Sequence, residues 1–214
     1  PDSTVKRRSG FLQPQLNNHR ILGSSVYIPY FRTFGDDQDY TFKPTLFEDK
    51  VILQNEFRKV TKNTSLITDF SLTKGYKSSV NNKKKNINHL FLKYENNLNL
   101  TGYLSSKLDA KIERVNNDTY LKVFQNNLFR SPVMPSNRDV MVSELNLDFE
   151  HNNYDLTTGI QVFENLGLAH SDRYQYVLPS YEFSRSIDLK NLNGSLNFIS
   201  SGSNRLKDTN NLRT

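Results

Sequence analysis

What most constrains this chain is an alternation of period two that recurs over long runs. Leu66, Thr68, Phe70 and Leu72 alternate with Ile67, Asp69, Ser71 and Thr73. Leu90, Leu92 and Tyr94 alternate with Phe91, Lys93 and Glu95, and Leu145, Leu147 and Phe149 with Asn146, Asp148 and Glu150. Leu156, Thr158, Ile160 and Val162 continue the pattern, and the longest run puts Leu98, Leu100, Leu104, Leu108, Ala110 and Ile112 in step against Asn99, Tyr103, Lys107, Asp109 and Lys111. Successive side chains of a strand point to opposite faces, so each run reads as a strand with one apolar and one wet face. A helix would need apolar residues three and four apart, and only Asp118 to Phe124 offers a turn of that kind.

Turn-forming clusters punctuate the runs: Asn17-Asn18, Gly35-Asp36-Asp37, Glu48-Asp49-Lys50, Lys62-Asn63, Asn96-Asn97, His151-Asn152-Asn153, Ser171-Asp172 and Asn191-Leu192-Asn193-Gly194. Between them lie roughly eleven strands of about 9 to 14 residues, joined mostly as hairpins, where soluble strands average nearer 5 to 6. The fold class expected is all-β: an antiparallel up-and-down meander forming a partial wall, about 11 strands, of a large transmembrane β-barrel. One connection is long, from Glu113 to Asp139 with Pro132 and Pro135 near its end. It is expected to face outside or fold into the lumen, because such barrels pair short turns on one side with long loops on the other. No fixed-length repeat and no domain boundary is visible. Residues 1–214 read as one fragment, opening at Pro1 without a charged leader or apolar core segment.

Composition fits a two-faced wall. Hydrophobic residues are 36% of the chain and mean hydropathy is −0.66, yet aromatic residues reach 12%. A lipid-facing apolar row alternating with a lumenal polar row averages to this value. Tyr27, Tyr30, Phe31, Tyr154, Tyr174 and Tyr176 lie near strand ends, where they suit interfacial girdles; aromatic packing in a soluble sandwich reads the same way. With no cysteine, disulfide scaffolds, zinc ribbons and thiol nucleophiles are excluded. A net charge of +6 is dispersed, and its densest run, Lys83-Lys84-Lys85, reads as a solvated loop tip rather than a nucleic-acid footprint.

No catalytic constellation emerges. His19, His89, His151 and His170 have no partner at metal-ligand spacing and read as solvent or lumen residues. No nucleophile elbow, Walker loop or dinucleotide fingerprint occurs, so no catalytic residue, metal or cofactor is assigned. The prolines say more. Pro14, Pro29 and Pro44 follow one another at fifteen-residue intervals, each inside a strand pattern. Proline lacks the ladder N–H, so these positions are either edges and bulges or a seam kept weak.

Lys6-Arg7-Arg8-Ser9-Gly10-Phe11-Leu12, Pro14, Pro29-Tyr30-Phe31, Asp39, Thr41, Pro44 and Glu56-Phe57-Arg58 together resemble the opening of the barrel in the LptD (OstA) family of outer-membrane lipopolysaccharide-assembly proteins. Asn117-Asp118-Thr119-Tyr120-Leu121 and Asp172-Arg173-Tyr174-Gln175-Tyr176 with Pro179 resemble the same family, chiefly its alphaproteobacterial branch. Coverage is dense over residues 1–60 and sparse beyond. The chain departs from the family at Arg32-Thr33-Phe34-Gly35 and Asp49-Lys50, both in or beside turns.

The resemblance implies a Gram-negative cell outer membrane location and a barrel of about 26 strands, with a periplasmic jelly roll and the remaining strands outside this chain. It implies transport without bond chemistry: lipopolysaccharide arrives over a periplasmic transport bridge, its sugars pass the lumen, and its acyl chains leave by a lateral gate. A plug lipoprotein of the LptE type is the implied partner, with no cofactor. By the same resemblance Pro14 and Pro29 occupy the gate strands, and Lys6, Arg7 and Arg8 are candidate contacts for lipopolysaccharide phosphates, since arginine forks bind phosphate bidentately. A barrel enzyme acting on lipid and a soluble β-rich binding domain stay open as alternatives.

Overall fold

A computed structural model describes residues 7–76, 85–124, 131–169, 172–189 and 194–207. The loop tip expected at Lys83-Lys84-Lys85, and the readings of Lys6, His170, Ser171 and Asn191 to Asn193, concern positions lying wholly or largely outside those residues. The chain is all-β and antiparallel, with thirteen strands among the described residues where about eleven were expected. They are β1 (Gly10–Phe11), β2 (Gln15–His19), β3 (Gly23–Tyr27), β4 (Tyr30–Thr33), β5 (Gln38–Phe47), β6 (Val51–Val60), β7 (Thr64–Tyr76), β8 (Lys85–Asn97), β9 (Ser105–Val115), β10 (Val140–His151), β11 (Tyr154–Asn165), β12 (Tyr174–Leu189) and β13 (Gly194–Lys207). A short helix, α1 (Tyr120–Phe124), lies between β9 and β10. Hydrogen bonding runs β1-β4-β5-β6-β7-β8-β9-β10-β11-β12-β13, with β2 and β3 paired beside β5, and among the described residues the order is not closed.

The surplus of strands has a physical cause in the prolines. Gly10 to His19 runs antiparallel to Gly23 to Phe31, but both segments break at Pro14 and Pro29. Between the pairs Phe11↔Tyr30 and Gln15↔Tyr27 the first segment advances four residues and the second three, so an extra residue bulges on the outer segment. Two backbone bonds carry pairing across the gap: Leu12 N–H donates to the Pro29 carbonyl at 2.9 Å, and Ile28 N–H to the Pro44 carbonyl at 3.1 Å. Pro44 itself sits inside an unbroken β5, opposite Leu53. Pro179 follows a cis peptide bond at the β12 register shift.

Two expectations about turns are corrected. Asn17-Asn18 lies within β2, and the hairpin turn comes at Arg20 to Leu22, where His19 Nδ1 accepts the Ile21 and Leu22 amides and Gly23 takes φ 84°. The long run from Leu98 is not one strand. Residues 98–104 form a turn with Asn99 at φ 52° and Gly102 at φ 95°, a region only Gly and Asn enter readily, and β9 starts at Ser105. Leu98, Leu100 and Leu104 therefore leave the strand, whereas Leu108 stays on its apolar side beside Leu147.

The described residues group into two compact units. Unit 1 comprises residues up to Lys93 plus Glu113–Arg138, and unit 2 comprises Tyr94–Ile112 plus the chain from Asp139 onward. In unit 1 the register sets Lys43, Gln54 and Ser71 in one row across β5, β6 and β7, and Thr41, Glu56 and Asp69 in the next. These side chains are buried. The opposite face carries Phe42, Pro44, Leu46, Leu53, Phe57, Phe70 and Leu72, of which Leu46, Phe70 and Leu72 are more than 40% exposed. The sheet is thus inside out: its polar face is covered and its apolar face bare.

Unit 2 sorts its faces equally cleanly. Leu108, Leu145, Leu147, Phe149, Leu156, Ile160, Val162, Tyr181 and Phe183 share one face across β9 to β12. Lys107, Asp109, Lys111, Glu144, Asn146, Asp148, Thr157, Gln161 and Glu182 share the other. Gly159 allows close approach here, because a Cβ would meet the Asn146 side chain and lie 2.8 Å from the Leu145 carbonyl.

Candidate functional site

What covers the polar face of unit 1 is the long connection after β9. Asn116 first ties it to β8: its amide donates to the Asn88 carbonyl at 3.1 Å, and its side-chain oxygen accepts the Asn88 amide at 2.8 Å. Asn117 then builds an Asx turn, its Oδ1 accepting both the Thr119 amide at 3.0 Å and the Thr119 hydroxyl at 2.8 Å. That turn opens α1. Five residues do not make a helix that stands alone in water. Burial holds it instead, because Tyr120, Leu121 and Phe124 lie on one side and are at most 1% exposed.

Tyr120 is the tip of this strap. Its hydroxyl lies 2.6 Å from Ser71 Oγ on β7 and 2.7 Å from His89 Nδ1 on β8. His89 Nε2 lies 3.1 Å from Asp69 Oδ1, and Gln54 Nε2 donates to Asp69 Oδ2 at 2.8 Å. With a neutral imidazole every polar atom is matched: Ser71 donates to Tyr120, Tyr120 to Nδ1, and Nε2–H to the carboxylate. The His89 ring stacks on Phe91 at 4.2 Å between centroids and meets Tyr120 edge-on at 5.4 Å. Burial raises the Tyr120 hydroxyl's pKa above its ordinary value, so it stays protonated and can donate.

Beside this chain lies a second buried cluster. Lys43 on β5 is bonded to Glu56 on β6, both at most 5% exposed in their side chains, and Arg58 closes on the other Glu56 oxygen. Charges removed from water this fully persist only when paired. Asp39, in the next row along β5, is bonded to Arg7.

The sequence-derived candidates are placed as follows. Arg7 is engaged with Asp39, and its guanidinium lies 5.6 Å from the Phe31 ring centre; Arg8 is exposed, with no ion pair among the described residues. Pro14 and Pro29 come together at the break in the first hairpin. His89, read from the sequence as a solvent or lumen residue, lies on the covered polar face, 3% exposed and bonded on both ring nitrogens. The Asp69-His89-Tyr120 chain has the donor order of an acid–base relay, but its terminal hydroxyl is 0% exposed and already shared with Ser71. The arrangement fastens a strap.

A further group gathers on unit 2. Tyr103 packs against Phe149 at 5.6 Å, His151 at 5.7 Å and Tyr154 at 6.4 Å, so it joins the apolar face rather than the polar one its position in the alternation implied. His151 stacks on Tyr154 at 4.7 Å, Tyr154 on Phe183 at 5.7 Å, and Phe183 meets Phe198 at 6.2 Å. These rings form a band across β10 to β13 at the end where the 98–104 and 152–153 turns lie. Tyr174 and Tyr176 stack at 6.2 Å towards the opposite end of the same strands.

No family model and no curated protein sequence matches the chain.

Proposed function

We propose that this chain is a stretch of the wall of an outer-membrane β-barrel of the LptD type, which delivers lipopolysaccharide to the outer leaflet. The observation that carries the reading is the inverted sheet, with Lys43, Glu56, Asp69 and His89 covered while Leu46, Phe70 and Leu72 are bare. In water such a face would be an aggregation surface; in a bilayer it is the lipid contact, and the polar face lines the lumen. Strands β5 to β13, at 10 to 16 residues, are long enough to cross, since a tilted spanning strand needs about 9–11.

The aromatic ends agree with that span. Along β11 the step from Tyr154 to Glu164, whose partner is Tyr174, is ten residues. At about 3.4 Å per residue that is about 34 Å, which a tilt of about 40° reduces to about 26 Å, against an apolar band of about 25 Å in such barrels. Lipopolysaccharide as cargo rests on the resemblance of residues 1–60, and the Pro14/Pro29 break at the end of the strand order is where a lateral gate would need weak pairing. The strap bearing Tyr120 then lies in the lumen, above the buried charges of β5 to β8.

Depletion of the full-length protein tests the function. Surface lipopolysaccharide should fall and precursor accumulate at the inner membrane; normal surface lipopolysaccharide in depleted cells would refute the cargo.

A further inference from the structure

On the apolar face of β10 to β13, Arg185 is the one lysine or arginine among the described residues. The register fixes its side: it is paired with Phe198 on β13, and it follows Phe183, itself paired with Leu156, by two residues on β12. Arg205 and Lys207 fall on the other face, opposite Val177 and Gln175. One step beyond the last β11–β12 pair, Asp155↔Ser184, Tyr154 comes level with Arg185, so the cation sits in a row between Tyr154 and Phe198. Ile187, paired with Leu196, flanks it on the far side. Arg185 is exposed and has no ion pair among the described residues. A cleft of about 290 Å³ opens here, with His151, Tyr154, Arg185 and Phe198 in its lining.

A guanidinium on an apolar surface is costly unless its head reaches an anion, and its aliphatic stem allows it to run along the apolar surface to do so. The anion that a bilayer supplies at aromatic-belt depth is a lipid phosphate, and arginine's planar fork suits it. Strand direction chooses the leaflet. β10 ends at His151 in a two-residue turn, and four residues separate the end of β12 from β13, whereas the long 116–139 connection precedes β10 at the opposite end. In outer-membrane barrels the short turns are periplasmic.

We infer that Arg185, set between Tyr154 and Phe198, is a binding site for the phosphate of an inner-leaflet glycerophospholipid. This rests on the membrane reading above and adds to it a bound lipid distinct from the cargo. The site would hold the wall at a fixed depth at its periplasmic rim.

The test uses the full-length barrel in nanodiscs of phosphatidylethanolamine and phosphatidylglycerol, released into detergent and weighed by native mass spectrometry. The wild-type protein should retain phospholipid through detergent exchange, and Arg185→Gln should retain about tenfold less, the scale of one lost charge-assisted hydrogen bond. Arg185→Lys should retain an intermediate amount, and Arg205→Gln, on the polar face, should match the wild type. Equal retention by Arg185→Gln in a correctly inserted barrel would overturn the site alone. Displacement of the phospholipid by added lipid A at equal concentration would overturn the leaflet assignment and with it the proposal. A full-length protein that does not insert would overturn both this inference and the membrane reading.

Discussion

Replacing Tyr120 with Phe keeps the ring that fills the space between His89 and Phe124 and removes a single oxygen. That oxygen serves two buried partners, Ser71 Oγ at 2.6 Å and His89 Nδ1 at 2.7 Å. A buried polar group left without its partner costs about 1–3 kcal/mol. The Ser71 hydroxyl can turn to another acceptor, so its share falls at the low end, and the imidazole nitrogen supplies the rest. Together the loss is about 2–3 kcal/mol, felt by the strap rather than the sheet, because β7 and β8 keep their backbone pairing. At about 1.4 kcal/mol per factor of ten, amides of α1 should exchange with deuterium about 30- to 140-fold faster. The Val123 amide, bonded to the Thr119 carbonyl at 3.1 Å, is a suitable reporter in the full-length protein in detergent, with Leu72 in β7 as the control. Unchanged exchange at Val123 would refute the latch. Equal acceleration at Leu72 would refute its independence from the wall.

Glu56→Gln should destabilise the barrel by about 3–5 kcal/mol in urea unfolding, since it strands Lys43 in a buried site, while the double change Lys43→Met with Glu56→Leu should recover most of that loss. Gly159→Ala should cost about 1–3 kcal/mol, because a Cβ there meets the Leu145 carbonyl as well as a side chain, and Gly167→Ala, with only the Asn165 side chain nearby, should cost less. Joint replacement of Pro14 and Pro29 by valine should lower surface lipopolysaccharide and raise antibiotic permeability at unchanged protein level, with Pro44→Val mattering less because β5 is unbroken there. Normal export in the double variant would remove these prolines from the gate.

The sequence shows the two faces wherever alternation is clean: Leu66 to Thr73 divides in the structure as it does on paper, and so do Leu145 to Glu150. Alternation fails as a guide where it runs by chance through a turn. Leu98, Leu100 and Leu104 keep the step of two, and only Asn99 and Gly102 mark the left-handed backbone that breaks it. Asn17-Asn18 misleads in the other direction, because turn-forming residues are tolerated in a strand whose outer side has no partner among the described residues.

The strap was legible as a long connection and its contacts were not. Asp69, His89 and Tyr120 are 20 and 31 residues apart, and their meeting depends on strand register and on how the connection returns. One signal pointed to it: Asp69 and His89 fall in the inward set of their strands, where a charge must find a partner, and Asn117-Asp118-Thr119 marks a turn-and-helix start just before the only buried tyrosine of the connection.

The account stands or falls on which face of the sheet meets lipid. The chain has no tryptophan, so an introduced indole is the only one in this segment, and its quenching by brominated phospholipid is read as the difference from the wild-type protein. In the full-length barrel reconstituted in such vesicles, Phe70→Trp, Leu145→Trp and Ile160→Trp should be strongly quenched, while Asp148→Trp and Thr157→Trp on the opposite face should not. Quenching that ignores the alternation, or that is stronger at 148 and 157, would contradict the membrane wall.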